Sequence, residues 1–308
     1  MIKIVSAAYH MNIGDNRSAC LLHGYINSIT YKDIKTVGYE GSDFKTKEDV
    51  GLFCKGADAI IIGTGGCFHS ANIGKVVYAY DPELYKYITC PLIIAATGFN
   101  RDYDRFDFRN DWKESIHALM ERADLIGMRT EDDKQLAISF GADKEKTFVC
   151  PDPLLFIGSR VGVYDNRNVG VSLYTNRWKS FIERELVKHG YNPVFIDHDG
   201  TSFRFGQYAD CDFTISKRFH GQLISFSYHK PCFSIESNIK HRFARRLLYP
   251  PDMQHWTDNH LVMETFDEQL QSFLADKERM RYYIYARRKE LSELFSDFLL
   301  KVEKILND

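Results

Sequence analysis

The chain has 308 residues, 44% of them hydrophobic and 27% charged. That length suits about two globular domains with cores of their own, and the balance excludes a disordered, collagenous or coiled-coil architecture. Forty Lys+Arg against 42 Asp+Glu leave a net charge of −2, which argues against a general nucleic-acid binder.

Residues 2–8 read as a buried strand, and a polar loop leads from it into a helix over 16–29. Continuous apolar runs at 58–63 and 91–97, bounded by Gly or Pro, have the composition of strands buried on both faces of a parallel sheet. A helix over 111–122, a short strand at 125–128, a helix over 131–140 stopped by Gly141 and a strand at 147–150 follow. Between 156 and 168 the pattern breaks into Gly, Ser, Arg, Asp and Asn, which marks a domain boundary. A second series then runs through a strand at 168–174, a helix over 178–189 capped by Gly190, and strands at 193–197 and 212–216. It ends with a helix over 219–229 and a strand at 231–236.

Strand–helix alternation in both halves predicts an α/β protein of two Rossmann-like domains, one over 1–160 and one over 166–275. The segment 276–308 predicts a long amphipathic helix, with Leu291, Leu294, Phe295, Phe298, Leu299, Val302, Ile305 and Leu306 at helical spacing. Its polar face mixes Lys, Glu and Asp, which favours tertiary packing over a membrane surface.

The seven cysteines are scattered, with no C-x-x-C, and read as small reduced core residues of a cytosolic protein. No signal peptide and no run of 18 apolar residues is present, so a cytoplasmic protein without a membrane span is expected. The histidines lack metal-ligand spacing, Asp197-His198-Asp199 reads as a turn, and no metal is expected. No G-x-S-x-G elbow for a serine hydrolase occurs.

In open parallel sheets ligands bind beyond the carboxyl ends of the strands. After the first strand come Asn12, Gly14 and Asp15: an ordinary βα turn, or a loop whose N–H groups face a phosphate or sugar. Gly63-Thr64-Gly65-Gly66 allows close approach of a ligand, so Gly65 and Gly66 are candidates. The run matches neither a dinucleotide fingerprint nor a P-loop. Arg129, between a strand and a helix, is either a two-pronged anion donor or a surface ion-pair partner.

The most specific segment carries an apolar strand into Ser216-Lys217-Arg218-Phe219-His220-Gly221. A helix N-terminus there favours negative charge, and Lys217 and Arg218 add to it. His220, in the first turn, is placed to exchange a proton with a bound anion. Lys240-His241-Arg242 with Arg245-Arg246 forms either a solvated helix face or an anion-binding wall.

This set resembles the polysaccharide pyruvyl transferase family. The resemblance rests on Asn12-Ile13-Gly14-Asp15, the glycines at 63–66, Thr97-Gly98, Arg129 and Pro151-Asp152-Pro153. Above all it rests on Ser216-Lys217-Arg218-Phe219-His220-Gly221, followed by Lys230-Pro231. It implies a fold similar to the GT-B glycosyltransferases. It also implies transfer of a pyruvyl ketal group from phosphoenolpyruvate to a sugar hydroxyl of a cell-surface polysaccharide or its precursor.

By that resemblance Arg218 matches the arginine that grips phosphoenolpyruvate, His220 the general acid that protonates its methylene carbon, and Arg129 a second anion-binding arginine. Phosphoenolpyruvate would be the donor substrate, with no cofactor, and a saccharide the acceptor. A lipid-linked acceptor would bring the enzyme to the inner membrane surface. The family's Ser-x-Arg-Asp pattern is broken, since Thr130 follows Arg129. The same residues also fit a nucleotide-sugar-dependent glycosyltransferase of this shape, or a non-catalytic saccharide- or anion-binding protein.

Overall fold

The computed structural model describes residues 1–6, 13–38, 44–69, 81–100, 110–158, 166–173, 176–197, 205–236 and 238–308. The chain divides into two compact units. One comprises Met1–His10, Asp15–Pro153 and Ser292–Asp308; the other comprises Met11–Gly14 and Leu154–Leu291.

The first unit contains β1 (Ile2–Ser6), most of α1 (Ile13–Ser28), β2 (Ile34–Gly38), α2 (Lys47–Cys54), β3 (Ala59–Ile62) and β4 (Gly65–His69). It continues with β5 (Leu92–Asn100), α3 (Asn110–Arg122), β6 (Leu125–Met128), α4 (Glu131–Ser139) and β7 (Thr147–Val149). Its parallel sheet has the order β2-β1-β3-β5-β6-β7. β3 registers with Leu92–Ile94 and β4 with Thr97–Asn100, so these two short strands follow one another along β5.

Every residue of β3 is buried, as is all of β5 except Asn100. Each buried aliphatic side chain contributes roughly 1.5–3 kcal/mol, which is why unbroken apolar runs become central strands. β5 runs on past residue 97 to Asn100. A register shift between Ile94 and Thr97, with Ala96 at φ 51°, realigns it against its neighbours.

The second unit contains β8 (Asn168–Ser172), α5 (Lys179–Lys188), β9 (Asn192–Phe195), α6 (Gly206–Ala209), β10 (Phe213–Ser216), α7 (Phe219–Ser227), β11 (Cys232–Glu236), α8 (Ile239–Leu248) and β12 (Trp256–Asp258). Its parallel sheet has the order β12-β11-β10-β8-β9. The helix α9 (Val262–Asn307) completes the chain.

It begins upstream of the 276–308 segment expected from sequence, because Val262, Phe266, Leu270 and Phe273 extend the buried stripe. Leu294, expected on the apolar face, is exposed. Residues of α9 up to Leu291 belong to the second unit and Ser292 onward to the first. The sequence boundary also shifts. Phe156 and Gly158 belong to the second unit, where their carbonyls accept hydrogen bonds from Arg288. Among the described residues no helix is long and apolar enough to cross a membrane.

Helix ends obey local chemistry. Gly141 (φ 93°) and Gly190 (φ 78°) follow α4 and α5 in the left-handed conformation, as expected for Schellman caps. α7 closes the same way without glycine. His229 has φ 60°, and the Lys230 N–H donates to the Ser225 carbonyl at 2.9 Å. His229 Nε2 lies 3.3 Å from Arg288 Nη1, a donor, so that ring nitrogen accepts.

Burial, helped by Arg288 and Lys230, lowers the His229 pKa to about 4. The unfolded chain therefore takes up a proton near pH 6.5 that the folded chain refuses until about pH 4, and stability falls across that window. His229→Asn, which tolerates the backbone conformation, is expected to flatten that fall in urea titrations run at successive pH values.

Asp212, fully buried at the start of β10, pairs with Lys277 at 2.5 Å and with Arg281, both on α9. Removing the carboxylate leaves two cations facing a buried void. Asp212→Ala is expected to cost about 3–5 kcal/mol in equilibrium unfolding.

Candidate functional site

The strongest candidates lie at the carboxyl end of β10. Ser216, its last residue, is level with Ser172 of β8 and Ser234 of β11. The chain then turns at once into α7. The Ser216 hydroxyl donates to the Arg218 carbonyl at 2.9 Å and accepts from the Arg218 N–H at 3.1 Å, while the Lys217 N–H donates to the Ser172 carbonyl at 2.9 Å.

All nine residues of α7 are buried. It seats on the sheet through small and polar groups. Thr214 and Ser225 share a hydroxyl contact at 2.6 Å, Ser225 donates to the Gly221 carbonyl, and Gln222 donates to Ser234. A Cβ on Gly221 would lie 2.2 Å from Ser216 Oγ and 3.3 Å from Ser172 Oγ. Gly221 thus sets the distance between helix and sheet; the resemblance singled it out without saying why.

This seating positions the functional side chains. Arg218 precedes the first turn with extended backbone, is 5% exposed, and donates from Nε to the Leu173 carbonyl at 3.2 Å. His220 is 6% exposed and meets the Phe219 ring edge to face, 5.2 Å between centroids. Gly14, grouped with this unit, lies directly against it: a Cβ there would be 2.2 Å from His220 Nδ1. Only glycine leaves room for the imidazole in this position.

A band of positive charge surrounds the histidine. Lys217 is half-buried, and burial together with the Arg177 guanidinium lowers its pKa. His241, in the first turn of α8, is fully buried, and burial holds its pKa well below the ordinary value. Lys240, Lys217 and His220 add to that depression. Lys217, His220, Lys240 and His241 therefore share one electrostatic neighbourhood at the starts of α7 and α8. Two helix N-termini and several cations in one place make a candidate anion site.

Lys217, Arg218, His220, Gly221 and Lys240 were singled out in the sequence, and His241 stood within the basic run read as a solvated face or an anion-binding wall; Arg177 was not singled out. Arg177 lies against the Trp178 ring at 4.3 Å, a contact between sequence neighbours that no motif announces. The rest of that basic run divides. Arg245 is buried on Glu236, Nε to Oε1 2.6 Å, and stacks on Trp256, so it is a structural partner and no ligand contact.

The first-unit candidates behave differently. Asp15 lies beside Gly65, where a Cβ would be 2.8 Å from Asp15 Oδ1. Gly65 and Gly66 are not a loop but the start of β4. Thr97 donates to the Gly65 carbonyl at 3.0 Å, and a Cβ on Gly66 would meet Asn100 at 3.0 Å. The loop expected at these glycines is a strand packed along β5.

Arg129 is 1% exposed, and neither a surface ion pair nor an open anion grip fits it. Its Nε lies 3.7 Å from Asp133, one turn along α4, and its Nη2 is 3.4 Å from the Phe99 carbonyl. Burial raises the Asp133 pKa, while Arg129, the Phe99 N–H and the Thr130 hydroxyl oppose that rise. Thr130 serves as the N-cap, accepting from the Asp133 N–H at 2.9 Å. The acid missing after Arg129 is thus supplied three residues later.

Asp152, from Pro151-Asp152-Pro153, accepts from Ser18 of α1 at 2.6 Å. Asn12, and His198 and Asp199, lie outside the described residues. Among the described residues no cluster of three or more His, Cys, Asp or Glu is placed to hold a metal ion.

No protein-family description matches the chain, and no curated protein matches it in sequence. Solved structures do. HepE from Anabaena, in complex with UDP, is similar over 99% of both chains, with TM-score 0.55 and 11% identity. The UDP-GlcNAc 2-epimerase of Methanocaldococcus jannaschii, in complex with UDP-GlcNAc and UDP, is similar over 89% of this chain and 92% of its own, with TM-score 0.53 and 11% identity. TarM is similar over 81% of this chain at TM-score 0.50 and 12% identity, and this chain spans 55% of its length. At such identities the likeness establishes the fold: two parallel-sheet α/β domains of the GT-B type with a long C-terminal helix.

The Arg129–Asp133 pair is open to a direct test. Asp133→Ala strands a buried guanidinium and is expected to cost about 3–5 kcal/mol in chemical unfolding, while leaving ligand affinity of the folded protein unchanged.

Proposed function

We propose that the protein is a sugar-processing enzyme of the GT-B type that takes a nucleoside-diphosphate sugar as donor and transfers its glycosyl group to a saccharide acceptor. The observation that carries this reading is the convergence of Lys217, Arg218, His220, Lys240 and His241 at the starts of α7 and α8. The likeness to structures solved with UDP over nearly the whole chain supports it.

When the bond from the sugar to the diphosphate breaks, negative charge grows on the departing phosphate. Cations and N–H dipoles already in place, shielded from water, lower that barrier without reorganising. Arg218 and Lys217 would hold the diphosphate, with Lys240 beside them. His220 would hold or pass a proton at the phosphate or acceptor oxygen. Its contact with Gly14 fixes the ring plane, which a proton transfer needs.

Transfer of a pyruvyl group from phosphoenolpyruvate is the second reading. It is favoured by one specific feature, the Arg218-Phe219-His220-Gly221 sequence at a buried strand end. In that scheme Arg218 grips the carboxylate or phosphate and His220 protonates the methylene carbon. The oxocarbenium-like centre then takes a sugar hydroxyl, and phosphate leaves. Both readings demand a phosphate-bearing donor at the same residues.

Thermal unfolding with UDP, UDP-sugars, phosphoenolpyruvate and plain phosphate separates them. A ligand at ~100 times its dissociation constant adds about 2.7 kcal/mol, a visible shift in midpoint. Stabilisation by UDP, lost in Arg218→Ala, is expected. Stabilisation by phosphoenolpyruvate alone would replace the first reading with the second, and stabilisation by neither would remove both. With the stabilising donor and an acceptor panel, His220→Ala is expected to lower turnover at least a hundredfold, the usual scale for a lost acid or base.

A further inference from the structure

Cys54 and Cys90 stand apart from the other cysteines. Cys54 is the last residue of α2, and Cys90 precedes Pro91 at the entry to β5. Distant in sequence, the two thiols are within hydrogen-bonding reach of each other. Cys54 is half-buried, whereas Cys90 is buried.

Two cations are pinned beside the pair by backbone carbonyls. Lys3 Nζ donates to the carbonyls of Phe53 and Lys55, on either side of Cys54, at 2.7 and 2.9 Å. Arg122 Nη2 donates to the carbonyls of Ile88 and Cys90 at 2.7 and 2.8 Å. Arg122 also pairs with Asp124, Nη1 to Oδ2 2.8 Å, so Lys3 is the cation held beside Cys54 by carbonyls and not by a carboxylate. The hydrogen bond from Cys90 lowers the Cys54 thiol to about 7, helped by Lys3 and Arg122. The same bond, with burial, raises Cys90. An attacking thiolate with a resolving thiol behind it is the arrangement of a reversible dithiol.

We propose that Cys54 and Cys90 form a thiol–disulfide exchange site that takes a low-molecular-weight disulfide such as glutathione disulfide. The Cys54 thiolate attacks one sulfur of the disulfide, its S–S bond breaks, and one glutathione thiolate leaves and takes a proton. Cys90 gives up its proton and attacks the Cys54 sulfur, and the mixed S–S bond breaks to release the second glutathione thiolate. The two protein thiols lose two electrons and two protons, and one glutathione disulfide becomes two glutathione thiols. The product ties the end of α2 to the start of β5, the central strand of the first sheet. The site is independent of the anion cluster and of which donor that cluster takes.

The test treats the native full chain with glutathione disulfide at neutral pH, alkylates the remaining thiols after unfolding, and maps the peptides by mass spectrometry. A Cys54–Cys90 cross-link reversed by dithiothreitol is expected in the wild type. Cys90→Ser is expected to trap a glutathione adduct on Cys54, formed faster than on the more exposed Cys20, and Cys54→Ser to leave Cys90 unmodified. The idea fails if both thiols of the wild type remain alkylatable. It also fails if the adduct in Cys90→Ser forms no faster at Cys54 than at Cys20.

Discussion

The close seating of α7 on its sheet is the contact on which the candidate chemistry depends. Gly221 has no Cβ, and the Ser216 and Ser172 hydroxyls fill the space one would occupy. Thr214 with Ser225 and Gln222 with Ser234 then bond across the interface, so the buried helix rests on paired polar side chains. Hydrogen bonds are directional, unlike apolar contacts. They fix the helix in rotation as well as in distance, and so fix where Arg218 and His220 point.

The basic residues divide by what answers their charge. Arg129 is matched by Asp133, Arg245 by Glu236, and Lys277 and Arg281 by Asp212, each in or beside a core. Buried pairs of this kind are costly to break. Around His220 the balance differs: burial lowers the proton affinity of both Lys217 and His241, and Arg177 adds to it at Lys217 as Lys240, Lys217 and His220 do at His241. Accumulated like charge destabilises a folded chain, and a bound anion relieves it. This is the physical basis for reading the cluster as a phosphate site, whichever donor brings the phosphate.

The glycines after the first and third strands show how one residue type serves different ends. Gly14 gives room to the ring of a titratable side chain, whereas Gly65 and Gly66 let β4 lie against β5, Asp15 and Asn100. Absence of a side chain permits close approach but does not name the approaching group. Composition could therefore mark both stretches as special without telling a site from a packing contact.

The fold class was legible because a central parallel strand must be apolar on both faces. That demand wrote 58–63 and 91–97 into the sequence as unbroken runs, later found as β3 and β5. Edge strands escape it. β2 is only partly buried and β12 only three residues long, so neither carries a hydrophobic signature. The Ser216–Gly221 segment could be recognised because charge, helix start and strand end are adjacent in the chain. Gly98 against Arg129, His241 beside His220, and Cys54 against Cys90 could not, because those partners meet only in space. Sequence by itself determined the alternation of elements and the one contiguous anion motif. Tertiary structure decided which cations meet a carboxylate in a core and which gather around His220, since electrostatic interaction depends on distance through space and not along the chain.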